Sequence, residues 1–585
     1  MKKYVADFET CVWLEDETYV WAYAICEIGN EDNIIIGNSL NEFMEFCKNS
    51  NNSTIYFHNL KFDGSFILNW CLENKYEYIK DKKEAKSKTF TTLISDTGMF
   101  YQITIYFYKN GKKVKKITFF DSLKIIPFAV DKIAKSFNLP ISKLKIDYYK
   151  PRPKEGYELT SEEKEYIKND VLIVAKALKV LFSQNLTKMT QGSNALFDYK
   201  EILGKDKFSH YYSSLEKDID KEIRRAYKGG FTYLNPVYKE KDVGAGVVLD
   251  VNSLYPSVMM EKELPICEPV FFEGKYKEDK VYKLYIQQIA CTFRLKPNHI
   301  PTIQIKNSMF FNSNEYLETS ENAEGDIVIL YLTSVDLQLF LEHYDILYIR
   351  YLGGYKFRSI KGLFSDYINK WIKVKNESTL NGNEGMRTLA KLMLNALYGK
   401  FATSMETKSK IPYLEDGILH YELGEEEEKK GLYIPIGCFI TAYAREKTIR
   451  TSQAIKEYSI KKYGKDLYCY SDTDSIHTLL PIEELKQFCE IDKVELGKWK
   501  HESSFTRARF IRQKCYIEEI EGTIKITCAG LPKDCYDKVT WENFRTGFKC
   551  DGKLVYKNVR GGTKLVNTEF TIKDDKIKRN IVKFK

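Results

Sequence analysis

Two apolar stretches that end in carboxylates constrain this chain more than any other feature. Gly246-Val247-Val248-Leu249-Asp250 is a strand-like run closed by an acid, and Val251-Asn252-Ser253-Leu254-Tyr255-Pro256-Ser257 then turns into Val258-Met259-Met260. Leu467-Tyr468-Cys469-Tyr470-Ser471-Asp472-Thr473-Asp474-Ser475-Ile476 reads as a hairpin with Asp472 and Asp474 pointing the same way. Singly, each aspartate is an ordinary turn former. Jointly, positions 250 and 472 make one acidic centre only if their strands pair in one sheet, so the long stretch between them must fold outside that sheet. Within it, Arg387 to Phe401 reads as a helix with Lys391, Asn395 and Tyr398 on one face and Leu389, Leu392, Met393 and Ala396 on the other. Core packing explains the second face only. The first offers a cation for a triphosphate and a ring for a base, with Gly399 permitting close approach. Two acidic strand ends beside such a helix are the parts needed for metal-assisted nucleotidyl transfer.

A second acidic set lies in the N-terminal third. Asp7-Phe8-Glu9 puts two carboxylates at i and i+2, on one face of a strand. In Tyr56-Phe57-His58-Asn59-Leu60-Lys61-Phe62-Asp63-Gly64 the aromatic and apolar neighbours draw Asp63 toward a core, while His58 reads as a structural histidine. Thr160-Ser161-Glu162-Glu163 resembles a capping box ahead of Ile167, Val171, Val174, Leu178 and Leu181 at helical spacing. Tyr166 and Asp170 stand one turn apart on that helix. Asp170 falls on the apolar stripe, where an unpaired carboxylate costs several kcal/mol, so it needs a cation or a donor. Four acids without an equal number of basic partners in their motifs fit two hard divalent ions and phosphodiester hydrolysis, with Tyr166 orienting the attacking water.

With 585 residues, 43% apolar content and 14 prolines, the chain has material for about four packed units at roughly 150 residues each, which excludes a small module and the disordered and fibrous classes. Strands at Tyr4–Asp7 and Tyr19–Ile25 open an N-terminal α/β unit, and the polar stretch Gln184–Asn194 marks a boundary near 190. From Ile491 to Lys585, 22 Lys and Arg face 13 acids, which accounts for the whole net charge of +9 and points to a polyanion-facing C-terminal end. The 13 cysteines contain no C-x-x-C pair and are expected as reduced thiols. No run of about 18 apolar residues exists and Asp7 and Glu9 interrupt any leader, so a soluble chain without membrane contact is expected. Glu425–Glu428 with Lys429 and Lys430 reads as a solvated loop.

The order D-x-E, N-x-x-F-D, Y-x-x-x-D resembles the three exonuclease motifs of proofreading DNA polymerases, which lie on an RNase H-like fold. The resemblance carries over Asp7, Glu9, Asp63, Tyr166 and Asp170, and implies Asn59, Phe62, Ser122 and Leu123 as contacts to a frayed single-stranded 3' end. D-x-x-S-L-Y-P-S from Asp250, K-x-x-x-N-x-x-Y-G from Lys391 and Y-x-D-T-D-S from Tyr470 resemble motifs A, B and C of the family B DNA polymerases. Tyr227-Lys228-Gly229-Gly230, Thr441 with Arg445, and Lys514-Cys515-Tyr516 resemble further motifs of the protein-primed branch of small tailed phages.

That resemblance implies Asp250, the Val251 backbone and Asp472 as metal ligands, and Asp474 as their close neighbour. It implies Tyr255 as a steric gate, and Lys375, Lys391, Asn395 and Tyr398 as nucleotide contacts. Tyr227, Gly229, Gly230, Thr441, Arg445, Lys514 and Tyr516 become DNA contacts. It further implies two Mg²⁺ ions at each active site, with Mn²⁺ able to substitute, and primer-template DNA and deoxynucleoside triphosphates as partners. The chain, monomeric by itself, would form a heterodimer with a terminal protein in the cytoplasm of an infected bacterial host. Ala396 departs from that branch, which usually has serine beside the motif B asparagine.

The expected layout is an α/β exonuclease domain, 1–190, followed by a right-hand polymerase domain, 191–585. Its palm would be 191–261, 360–372 and 432–515, its fingers 373–403 and its thumb 516–585. An insertion at 262–359 follows from a connection too long for a plain loop, and the polar, Glu-rich stretch 404–431 would be a second. In the resembling enzymes these insertions contact the protein primer and wrap DNA. The alternative is a family B replicase or repair polymerase using an ordinary nucleic-acid primer.

Overall fold

Alternation on the first strand, Lys2–Thr10, sends Tyr4, Ala6 and Phe8 into one apolar cluster and Val5 into another, so the sheet it belongs to is buried on both faces. In the computed structural model, which describes residues 2–111, 113–154, 156–304, 316–320, 327–429 and 431–573, that sheet has eight strands. Their order is 30–37, 20–27, 2–10, 53–57, 113–121, 100–110, 89–94, 77–78. The central strands 2–10, 53–57 and 113–121 are parallel to one another. Helices Leu40–Asn49 and Leu60–Glu73 cover one face. Helix Ser161–Ser183 covers the other, and its start is the expected capping box, with Thr160 and Glu163 bonded reciprocally.

A second, antiparallel sheet has the order 499–505, 246–251, 475–478, 468–472, 232–234. The two acidic strands therefore share one sheet, each paired to strand Ser475–Thr478. The 30-residue helix Ile434–Tyr463 packs against it. Helices Ser365–Leu380 and Glu384–Phe401 form an antiparallel pair beside it, joined by a turn at Gly382.

The stretch expected as a first insertion folds as a four-stranded sheet, 263–273, 344–361, 284–295, 328–333, and its residues 305–315 and 321–326 lie outside the described ones. The acidic run expected as a loop is instead the second strand of a hairpin, Glu406–Glu415 with Ile418–Glu428. Alternation had been masked there by like charges, which a solvated hairpin tolerates. Near the C-terminus, strands 242–243, 507–512, 515–520 and 523–528 form a sheet, followed by the long hairpin Lys549–Val559 with Gly562–Thr571. Of the basic C-terminal end expected at 491–585, residues 491–573 are described and 574–585 lie outside the described residues. The boundary expected at 372/373 cuts an unbroken helix, and those at 359/360 and 515/516 cut strands. Cys535 and Cys550 form a disulfide, against the expectation of thiols. Among the described residues no helix is long and apolar enough to cross a membrane.

Candidate active sites

The first acidic centre follows from strand parity. Asp7 and Glu9 share the parity of Val5, which faces helix Ser161–Ser183, and Tyr166 and Asp170 lie on that helix. Ligand oxygens of Asp7, Glu9 and Asp170 come within 4.8 Å of one another, the only such group of three among the described residues. Asp63 arrives from the first turn of helix Leu60–Glu73, which starts where strand Ser53–Phe57 ends beside Ala6. It is buried and Oδ1 of both Asp63 and Asp170 lacks a hydrogen bond.

Burial, then repulsion from Asp170, pushes Asp7 up to about 7, with Lys143 pulling the other way. Burial first, and then the neighbouring acids, also hold Glu9 and Asp63 well above the carboxylate range. Such a site is short of positive charge. Its all-oxygen donor set and orphaned buried oxygens fit hard divalent cations.

One cation is already there. Lys143 Nζ donates to Asp170 Oδ2 at 2.6 Å, and the Tyr148 hydroxyl is bonded to that of Tyr166. Both side chains come from the stretch Ile141–Thr160, whose described residues form neither helix nor strand. Sequence reading missed both, because a lysine and a tyrosine in an aperiodic stretch rich in both carry no spacing signal. The absence of basic partners therefore holds for the motifs and not for the site.

Around this centre the expected strand contacts divide. Asn59 has φ 85° and donates through Nδ2 to the Tyr556 hydroxyl at 3.1 Å. Lys61 Nζ lies 4.5 Å from the Tyr556 ring centroid, and Phe62 is half-buried beside Phe66. Ser122, by contrast, is fully buried, with Oγ donating to the Phe57 carbonyl at 3.1 Å and lying 3.0 Å from His58 Nδ1. It braces the turn that presents half-buried Leu123 and is itself no surface contact. His58 is structural: its other nitrogen lies 2.6 Å from the Phe128 carbonyl, and burial pulls its pKa down to about 4.

The second centre sits at the ends of the palm strands. Asp472 ends its strand opposite Ser475, so the expected hairpin is present and Thr473 and Asp474 form its turn. Thr473 has φ 60° and Asp474 N–H donates to the Asp472 carbonyl at 2.7 Å. Asp250 also lies opposite Ser475, on the neighbouring strand, and Val251 N–H donates to the Asp474 carbonyl at 2.8 Å. Burial, then Asp474, pushes Asp250 up to about 7, opposed by Lys500 across the strand pair. Asp474 is raised chiefly by burial. These acids do not converge as tightly as the first set. Lys514 Nζ instead bonds both Asp472 oxygens, at 2.8 and 2.9 Å.

The helix Glu384–Phe401 exposes Lys391 and Asn395 and half-buries Tyr398, while Leu389, Met393, Leu394 and Leu397 are buried and Leu392 and Ala396 only partly so. The Tyr398 ring stacks on Tyr255 at 4.1 Å and 17°. Burial, with smaller repulsion from nearby Arg387 and Lys375, lowers Lys391. Tyr516 packs against Tyr470, Phe510 and His477 under the Asp472 strand.

Thr441 and Arg445 are buried on helix Ile434–Tyr463. Thr441 Oγ1 donates to the Gly437 carbonyl at 2.9 Å. Arg445 pairs with both Asp336 oxygens at 2.8 and 2.7 Å and donates to the carbonyls of Lys228 and Gly229 at 3.0 and 2.8 Å. The expected DNA contacts at these two residues are thereby corrected: their donors face inward and hold the Tyr227–Gly230 loop in place. A Cβ on Gly230 would meet Thr473 Oγ1 at 2.7 Å, so only glycine lets this loop lie against the catalytic turn. Gly229 has open space around its Cβ position.

The model of the family "DNA polymerase type B, organellar and viral" matches residues 45–152 and 147–479. The chain is 46% identical to the DNA polymerase of Bacillus phage Nf, with 98% of this chain and 100% of the relative covered. It is 45% identical to that of Bacillus phage phi29, covering 98% and 99%. It is 34% identical to that of Streptococcus phage Cp-1, covering 98% of each. A solved structure of phi29 DNA polymerase with primer-template DNA superposes at TM-score 0.89 with 43% identity, covering 98% of this chain and all of that one. Identity at this level over nearly the whole length places the chain among the type B DNA polymerases, in the phi29-type group of phages.

Proposed function

We propose that this chain replicates a linear double-stranded viral DNA genome from a protein primer, copying processively while displacing the complementary strand and removing its own errors at the 3' end. The observation that carries the reading is that similarity to the phi29-type polymerases takes in 98% of the chain, and so both insertions as well as both acidic centres. The phi29 enzyme has been solved with primer-template DNA and incoming nucleotides, which supports the same partners here.

At the palm, Asp250, the Val251 carbonyl and Asp472 would hold divalent ions, most simply Mg²⁺, with Asp474 beside them; at the first centre Asp7, Glu9, Asp63 and Asp170 would do so. Ions so held supply Lewis acidity to the phosphoryl oxygens and lower the pKa of the attacking oxygen. The chain's own residues do the rest. Lys375 and Lys391 neutralise the triphosphate, and Asn395 hydrogen-bonds the nucleotide beside them. The Tyr255–Tyr398 stack forms the floor under the sugar and base. Lys514, which neutralises Asp472 here, would be released to bind a primer-end phosphate once that aspartate has another cation. At the first centre Tyr166 orients the attacking water, while Asn59, Phe62 and Leu123 line the way for a frayed end. The terminal protein would form a heterodimer with the chain in the infected cell.

The test is incubation with a candidate terminal protein, labelled deoxynucleotide and Mg²⁺. Covalent nucleotidylation of that protein, lost in Asp472→Ala, is the expected result. Template-directed extension of ordinary primers without nucleotidylation would favour the nucleic-acid-primed alternative.

A further inference from the structure

The described residues between Ile141 and Thr160 form no helix or strand, yet this stretch delivers Lys143 to Asp170 and Tyr148 to Tyr166. An irregular segment of that length places side chains reproducibly only where its backbone groups are tied down. The Lys143 end is tied by Asn169, whose Nδ2 donates to the Ser142 carbonyl at 3.1 Å. The Tyr148 end is tied by Arg152. Its Nη2 donates to the carbonyl of Asp147, the residue before Tyr148, at 2.9 Å, and Nη1 to that of Lys150 at 2.8 Å, so the two bonds straddle the tyrosine. Nε donates to Glu163 Oε1 at 2.7 Å. The guanidinium is 2% exposed and lies 4.1 Å from the Trp21 ring centroid.

The anchor on the other side is equally fixed. Glu163 closes the capping box with Thr160 and accepts from the Tyr157 hydroxyl at 2.7 Å. The Arg152 carbonyl accepts from the Tyr19 hydroxyl at 2.6 Å. The chain of contacts thus runs from the start of the Tyr166 and Asp170 helix, through Arg152, to the backbone on both sides of Tyr148.

We propose that Arg152 is a positioning residue for 3'-end cleavage, holding the loop so that Tyr148 meets Tyr166 at the water-orienting position. It touches no reacting atom. Its rigid fork supplies three donors in fixed directions, and a lysine could keep the Glu163 ion pair but not bridge both carbonyls. The proposal rests on reading the first centre as the exonuclease.

The test uses the full-length protein with Arg152→Lys and Arg152→Ala, measuring single-turnover cleavage of a single-stranded 3' end, affinity for that strand without metal, and primer extension. Cleavage should fall on the order of 10²-fold, the scale of an ångström-size misplacement, with strand affinity within about twofold and extension unchanged. Millimolar guanidinium should restore part of the cleavage to Arg152→Ala, which repair of a folding defect by a denaturant would not do. In a Tyr148→Phe background, Arg152→Lys should cost little more, because the aligned hydroxyl is already gone. Equal cleavage by parent and Arg152→Lys, or the full loss repeated in the Tyr148→Phe background, would overturn the proposal. A parent that leaves 3' ends intact while extending primers would instead overturn the exonuclease reading. Should Arg152→Ala fail to fold, the Arg152→Lys pair of measurements decides.

Discussion

Asp170 and Asp472 meet the same difficulty in the same way. Each is an acid crowded by other acids, and each carries a lysine, Lys143 and Lys514, which neutralises it where a metal ion would otherwise be required. The two centres belong to different sheets, so their chemistry is separable. Asp7→Ala with Glu9→Ala should lower 3'-end degradation by roughly 10³-fold or more while extension stays near parent level, and Asp472→Ala should do the reverse, that being the scale on which loss of a catalytic group acts. Loss of both activities in either variant, in protein that keeps its cooperative unfolding, would refute two independent sites. Tyr255 makes a second case at this scale. Its ring is pinned by the Tyr398 stack, so it cannot swing away from a 2'-hydroxyl, and steric exclusion discriminates more strongly than one missing hydrogen bond. Tyr255→Val should therefore raise ribonucleotide incorporation by about 10²-fold with deoxynucleotide use retained. Competition assays with paired ribo- and deoxynucleotides read this directly, and unchanged selectivity would locate the gate elsewhere.

The hairpin Glu406–Glu428 shows how much an element's surroundings matter. Its composition is polar and acidic, yet Leu419 near its turn is fully buried in the core of the eight-stranded sheet. The Leu419 carbonyl accepts from Asn558 Nδ2 at 2.6 Å on the long C-terminal hairpin. That second hairpin turns at Gly561 against Thr18, whose carbonyl a Cβ would strike at 2.2 Å. Two hairpins and the first domain therefore close on one another. Deleting 404–431 should leave the palm folded and single-nucleotide addition intact, while shortening the products of one binding event and impairing copying through a downstream duplex. Primer extension under a DNA trap, on gapped and single-stranded templates, separates this from a dispensable element: equal product lengths on both would rule out a clamp. Leu419→Ala, a milder change, should cost about 2–5 kcal/mol of stability, measurable by denaturant unfolding, with catalysis per addition preserved.

Across the whole molecule the two centres store like-charge repulsion, and that makes stability depend on pH and metal together. Asp7 and Asp250 are each raised from 3.8 to about 7. In the folded, metal-free chain these two acids therefore hold, between those values, protons they would release on unfolding, opposed below about 6.5 by His58, which is lowered to about 4. The chain's stability should then fall as pH rises through that window. Divalent ions bind the ionised acids and should restore it. In chelator the melting temperature should drop between about pH 5.5 and about pH 8, and added Mg²⁺ should raise it more at the higher pH; a metal shift independent of pH would contradict this. The sequence by itself determined which acids could act, because parity on a strand and a one-turn spacing on a helix are local rules: Asp7 with Glu9, Tyr166 with Asp170, and the strand ends at Asp250 and Asp472 were all legible. So was the face carrying Lys391, Asn395 and Tyr398. What only the tertiary structure decided was what neutralises those acids and which polar groups stay available to a ligand. Lys143, Tyr148 and Arg152 sit in a stretch with no periodicity, and the inward turn of Ser122, Thr441 and Arg445 depends on partners such as Asp336 and His58 that lie far away in the chain. Local rules set by backbone geometry leave a trace in spacing; burial and pairing depend on what the rest of the chain brings alongside.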